Sequence, residues 1–332
     1  MLRTLPLVAG GLLLAGCGGG VLDPQGPVGD GNRQILLNSL AVMLVIVVPT
    51  IIGALVFAWW FRASNSKARY RPGFTYSGRI ELIVWSIPTL TILFLGGLIY
   101  YGSHALDPRR PLGPADKTLE IEAVALDWKW LFIYPAQRIA TVNELTIPAG
   151  TPVRFRLTSA SVMNVFFVPQ LGSMIYAMNG MESELNLQAD RPGELYGQGA
   201  HYSGSGFPGM NFTVHVVPAE AFSGWAAAVA DGPGVLDAKS YRALALQSKD
   251  VPPSAYGEVQ DGLFDAIVRQ EIPPAPGPSG GRGGAPDVHP EARAESLSGS
   301  AAESAADVPG ANLCTAPAGT IRTTALGAKR GG

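Results

Sequence analysis

The stretch ILLNSLAVMLVIVVPTIIGALVFAWWF, residues 35–61, decides the architecture, because it is apolar apart from Asn38, Ser39 and Thr50. It exceeds the about 20 residues a helix needs to cross a bilayer. A second run, 82–101, is polar only at Ser86, Thr89 and Thr91. Trp59 and Trp60 close the first run and Tyr100 and Tyr101 the second, as interfacial aromatic belts do. Pro49 and Pro88 lie inside the runs and argue for packing against other helices, which re-satisfy freed backbone groups. The spacing therefore predicts transmembrane helices at 35–61 and 80–102, joined by a loop at 62–79. That loop carries Arg62, Lys67, Arg69, Arg71 and Arg79 and no acid before Glu81, so the positive-inside rule makes it cytoplasmic.

Upstream, residues 1–16 read as a signal peptide: Arg3, an apolar run from Leu5 to Leu14, then small residues. Leu14-Ala15-Gly16-Cys17 resembles a bacterial lipobox, which makes Cys17 the lipidated first residue of the mature chain. The alternative is an ordinary signal with an incidental cysteine. Residues 17–34 then form a periplasmic tether.

Bulk properties narrow the function. Of 332 residues 47% are hydrophobic and 15% charged, with net charge -2, so no basic stripe outside the loop offers a footprint for nucleic acid. Cys17 and Cys314 are too far apart in role to form a disulfide framework, and no CxxC exists. His104, His201, His215 and His289 lack metal-ligand spacing.

Beyond Pro111 the period becomes two. Leu119, Ile121 and Ala123 alternate with Glu120 and Glu122, and Val153, Phe155 and Leu157 with Arg154, Arg156 and Thr158. Phe212, Val214 and Val216 alternate with Thr213, His215 and Val217, which puts His215 on the solvated face. Such strands between turn signals predict an antiparallel β-sandwich at 115–218. Phe222, Trp225, Ala226 and Val229 then fall on one helical face, opening a helical extension at 219–270. Residues 271–332, rich in Pro, Gly, Ala and Ser, read as a disordered tail, with Cys314 an idle thiol.

A two-helix hairpin before a periplasmic sandwich resembles subunit II of haem–copper oxidases, and local motifs support the likeness over roughly residues 10–265. Glu81-Leu82-Ile83-Val84-Trp85-Ser86-Ile87-Pro88 resembles that family's second-helix signature. Leu126-Asp127-Trp128-Lys129-Trp130-Leu131-Phe132-Ile133-Tyr134-Pro135 resembles its aromatic segment as found in bo-type quinol oxidases. The resemblance implies a cupredoxin-like Greek-key fold. It also implies that the copper-ligand positions of cytochrome c oxidases fall on Asn164, Gly199, Ser203 and Phe207, with only the methionine kept, as Met210. His201 aligns where the copper family supplies a carbonyl. Soft thiolates select copper, so a chain without them is expected to bind none.

The resemblance further implies a structural subunit, with no catalytic or cofactor residue of its own, in a proton-pumping enzyme of the bacterial inner membrane. That enzyme oxidises ubiquinol and reduces dioxygen to water. Haems and copper are then expected in subunit I, and subunits I, III and IV and the lipid bilayer are the expected partners. Glu81, Trp85, Trp128, Trp130, Phe132 and Tyr134 are the expected contacts with subunit I, the aromatics doubling as sandwich core. A free-standing lipoprotein with a binding or assembly role is the alternative, and a cytochrome c oxidase subunit II is disfavoured by the missing ligands.

Overall fold

The structure, a computed structural model, describes residues 20–69 and 71–277. The expected signal peptide, Cys17, Cys314 and the tail from 278 onward lie outside the described residues.

Helices α1 (Pro27–Trp60) and α2 (Gly78–Ala105) come first, with Pro49 and Pro88 in their interiors. Both are long and apolar enough to cross a membrane, and the most apolar stretch of each is unburied. They approach most closely at the sandwich end: a Cβ on Gly102 would stand 2.6 Å from Ile35, and one on Gly31 2.8 Å from Leu106.

α1 begins at Pro27 rather than at residue 35, and the segment expected to be a tether is partly docked. Pro27 supplies a preset φ for the first turn. Val28 is buried in the sandwich core. The Gln25 N–H donates to the Gln170 carbonyl and the Asp190 N–H to the Gln25 carbonyl, both at 2.8 Å. Gly26 lies so close to the Gln188 carbonyl that a Cβ would stand 1.9 Å from it. Nothing in the polar string GDGNRQ at 29–34 advertises this, because most of the contacts run through the backbone, with Val28 and an Asn32 amide bond to Ser173 the side-chain exceptions.

The strands are β1 (Leu119–Leu126), β2 (Lys129–Tyr134), β3 (Ile139–Val142), β4 (Glu144–Pro148), β5 (Pro152–Ser159), β6 (Asn164–Phe167), β7 (Ile175–Ala177), β8 (Ser183–Gln188), β9 (Gly193–Gly199) and β10 (Asn211–Val217). The extension adds α3 (Ala219–Ala230), β11 (Val235–Leu236), α4 (Ala238–Ala245), β12 (Ser254–Tyr256), β13 (Glu258–Val259) and α5 (Leu263–Val268). One sheet runs β12-β3-β2-β1-β5-β8 and faces another running β4-β10-β9-β6-β7. The sandwich is mixed, not purely antiparallel: β1 pairs parallel with β5, and β10 with β4. Period-two alternation reports which face is buried and is silent on direction, so the sequence could not tell the two apart.

Two cores result. Trp130, Phe132, Phe155, Phe166 and Phe212 fill the space between the sheets, with Phe132 and Phe212 ring centroids 5.1 Å apart and Phe166 and Phe212 5.3 Å. On the outer face of the first sheet, Val124, Leu126, Leu131 and Ile133 meet Tyr241, Leu263, Phe264 and Ile267 of the extension. β1 and β2 are therefore covered on both faces, and Glu122, which alternates with Ile121 and Ala123, is buried too. The extension also packs inward, since α3 sets Phe222 and Trp225 against Tyr134. The chain stays packed past 270: Ile272 and Ala275 are buried, and the Ala275 N–H donates to the Ala160 carbonyl at 2.9 Å. Residues 271–277, expected to open a disordered tail, are thus packed, because two apolar side chains among the prolines still find the second core.

Candidate functional site

The positions to which the resemblance assigns copper ligands come together on β6, β9 and the loop from β9 to β10. β6 lies beside β9, with the Ala200 N–H donating to the Val165 carbonyl at 3.0 Å, and the Gly199 N–H donates to the Met210 carbonyl at 2.9 Å. Met210 is buried, and a Cβ on Gly199 would stand 3.2 Å from its sulfur. The Ser203 hydroxyl lies 4.0 Å from the same sulfur. Asn164 is buried; its amide nitrogen donates to the Val162 carbonyl at 3.4 Å while its oxygen has no partner. Phe207 is only half-buried and turns its ring to Tyr202, 5.7 Å away, and His201 sets its ring 6.2 Å from Tyr176.

A binuclear copper centre does not fit these residues. One thioether, one hydroxyl and one amide offer no bridging thiolate and no imidazole, and soft sulfur is what such sites use. Among the described residues no three His, Cys, Asp or Glu side chains cluster in a way that could hold a metal ion.

The aromatic segment is built inward. Trp130, Phe132 and Tyr134 are fully buried in this chain and expose no surface to another one. The expectation of a direct contact with a neighbouring subunit thus fails for these three, because alternation on β2 points them between the sheets. Tyr134 donates to the Thr146 carbonyl at 3.0 Å and accepts from the Thr146 N–H at 2.8 Å, and burial raises its pKa. Trp128 sits at the turn before β2 with φ 64°. Its indole N–H donates to the Ser203 carbonyl at 3.0 Å, and its ring lies so close to Gly206 that a Cβ there would stand 2.2 Å away. Trp128 thereby ties the aromatic segment to the loop that carries Ser203 and Met210. Glu81 and Trp85 are exposed on α2.

Two charged groupings on the outer face were missed. Arg156 reaches Glu122 and Glu182 at 2.8 Å and Asp265 of α5 at 2.9 Å, with its guanidinium 4.9 Å from the Phe264 ring centroid. Burial pushes the Glu122 carboxyl up to about 7, with Arg156 opposing, whereas the hydrogen bond from Arg156 holds the more open Glu182 down. The signal was present: Glu120 and Glu122 stand directly across from Arg154 and Arg156 in the β1–β5 register. The second grouping is Asp127 and Lys129. The Lys129 ammonium donates to the Leu246 carbonyl at 2.7 Å and to Ser248, and burial lowers its pKa. Asp127 accepts from Ser161, and burial raises its pKa. Both fasten the extension over the sheet or close the turn beneath it.

Residues 114–217 match the family model for the cytochrome c oxidase subunit II periplasmic domain, and residues 231–274 that for the COX aromatic-rich motif. Ubiquinol oxidase subunit 2 of Acetobacter aceti is 48% identical over 77% of this chain and 84% of its own length. Cytochrome bo(3) ubiquinol oxidase subunit 2 of Pseudomonas putida is 49% identical over 78% of this chain and 82% of its own. The same subunit of Pseudomonas aeruginosa is 45% identical over 79% of each chain.

Proposed function

The chain belongs to the ubiquinol oxidase subunit 2 family, and from that premise we propose that it is the structural, non-metal-binding subunit II of a bo-type oxidase. The complex takes two electrons from each ubiquinol and reduces dioxygen to water. Haems, copper and quinol are held by subunit I. Quinol is soluble in the bilayer and can deliver electrons there, so the periplasmic domain needs no copper relay. What supports this reading is the former ligand cluster, where the Met210 sulfur is enclosed by Gly199 and Ser203.

The chain is an inner-membrane protein. In the orientation we propose, α1 and α2 cross the bilayer, the 62–77 loop is cytoplasmic, and both the N-terminal segment and the sandwich are periplasmic. The apolar flanks of α1 and α2, with Glu81 and Trp85 at one end of α2, are the contact with subunit I. Subunits III and IV complete the assembly. Cys17 carries the lipid, which positions the N-terminal segment.

The deciding experiment replaces the native subunit in a bo-type oxidase with this chain. The purified complex is expected to contain haem, to oxidise ubiquinol and to leave reduced cytochrome c untouched. Purification of the chain alone from mild detergent, without haem-bearing partners, would instead favour a free-standing lipoprotein.

A further inference from the structure

We propose that the loop between α1 and α2 is a binding site for the phosphate headgroup of an anionic phospholipid. The inference rests on reading α1 and α2 as membrane spans.

The loop lines a shallow, half-open hollow of about 850 Å³, bordered among others by Trp60, Arg62, Lys67, Arg69, Arg71 and Phe74, all exposed. This is within the range of about 300–1,000 Å³ that small-molecule sites occupy. Residues 62–77 contain no acidic side chain to neutralise these cations. The side chains of Lys67, Arg69 and Arg71 have no ion-pair or hydrogen-bond partner among the described residues. Elsewhere in the chain the arginines of the sandwich are heavily paired, Arg156 alone with four carboxylates.

The entrance is held in shape. The Arg62 guanidinium donates to the Trp59 carbonyl at 3.1 Å and to Ser64 at 3.0 Å, and lies 5.0 Å from the Trp59 ring centroid. The Asn65 amide donates to the Trp60 carbonyl at 2.6 Å. These donors satisfy the last carbonyls of α1 and fix where the loop departs. The remaining cations are left for a ligand.

Charge and apolarity together specify that ligand. A phosphodiester keeps its negative charge at every physiological pH and presents oxygens that a guanidinium fork can grip. Trp60, Phe61 and Phe74 also line the hollow, at the level where interfacial aromatics meet headgroups and acyl chains begin. A free phosphate has nothing to place against those rings, whereas a phosphatidylglycerol or cardiolipin molecule does. Basic pockets beside helix ends on the cytoplasmic side bind such headgroups.

The test uses the full chain reconstituted in nanodiscs of phosphatidylcholine with or without phosphatidylglycerol, followed by detergent transfer and mass spectrometry of retained lipid. Wild type is expected to retain phosphatidylglycerol over phosphatidylcholine. The double variant Lys67→Gln/Arg69→Gln should weaken that retention roughly thirty-fold, two surface-facing cations' worth. The control Arg109→Gln/Arg110→Gln, at the sandwich end of α2, should retain it fully. Equal retention of the two lipids, equal loss in the control, or displacement by millimolar inorganic phosphate would each overturn the proposal. The last would show a site for soluble phosphate, and absence of bound lipid with a copurifying acidic protein would show a protein contact instead. Failure of the chain to insert into neutral phosphatidylcholine would count against the membrane spans themselves, and is read separately from lipid selectivity.

Discussion

Glu122→Gln should stabilise the joint between the first sheet and the extension above neutral pH and lose that advantage in acid. Glu122 is 8% exposed, and burial raises its pKa from 4.5 to about 7 even beside Arg156. An acid whose folded pKa exceeds its unfolded one binds protons more tightly when folded, so stability from this group is full below about 4.5 and is lost as pH rises through about 7. At one pKa unit per 1.36 kcal/mol, the carboxylate costs the joint about 3 kcal/mol above that window. Glutamine is neutral throughout and still offers its oxygen to Arg156. Amide hydrogen exchange on the full chain, read in peptides covering 119–126 and 263–268, measures this opening locally. Protection in the variant should exceed wild type by on the order of a hundredfold at pH 8, and the two should converge below about pH 4.5. A ratio that stays flat from pH 5 to 8, or wild type gaining protection as pH rises, would refute the reasoning.

Three further outcomes are expected. Gly206→Ala places a Cβ 2.2 Å from the Trp128 ring and should destabilise the domain by about 1–3 kcal/mol, read by denaturant unfolding followed through tryptophan fluorescence. Tyr134→Phe removes one donor and one acceptor, leaves both Thr146 backbone groups unpaired in the core, and should lower the unfolding free energy read the same way by about 1–3 kcal/mol with little pH dependence. Val28→Asp buries an unpaired carboxylate where the first turn of α1 meets the sandwich, and limited proteolysis near residues 20–26 should accelerate while β1 to β10 stay protected.

The hairpin and the strand alternation were legible because they are properties of side-chain order. The apolar runs mark α1 and α2, and the alternation at Val153, Phe155 and Leu157 places β5 with the correct inner face. Helix α3 was legible through Phe222, Trp225, Ala226 and Val229. What sits on the outer face of a sheet is not written in the sheet's own strands, so the cover over Glu122 went unseen. The docking of residues 25–29 was hidden for a related reason: it depends on the backbone of Gln170 and Gln188, far away in sequence. For the candidate site, the resemblance supplied five positions, of which the fold sets Gly199 and Ser203 against Met210 while Phe207 turns to Tyr202. Neither alternation nor resemblance revealed that Trp128 lies over Gly206, a fit set by one ring and one missing Cβ.

The seating of Val28 carries a consequence for biosynthesis. The first turn of α1 leaves the ribosome early, whereas the surface that receives it, around Gln170, Leu171 and Gln188, is made some hundred and forty residues later. The first turn of α1 therefore has nothing to dock on until the later strands are made. Contacts so distant along the chain form slowly. Val28 thus joins the start of the hairpin to the sandwich through a contact that has no receiving surface until residues 170–188 have been made.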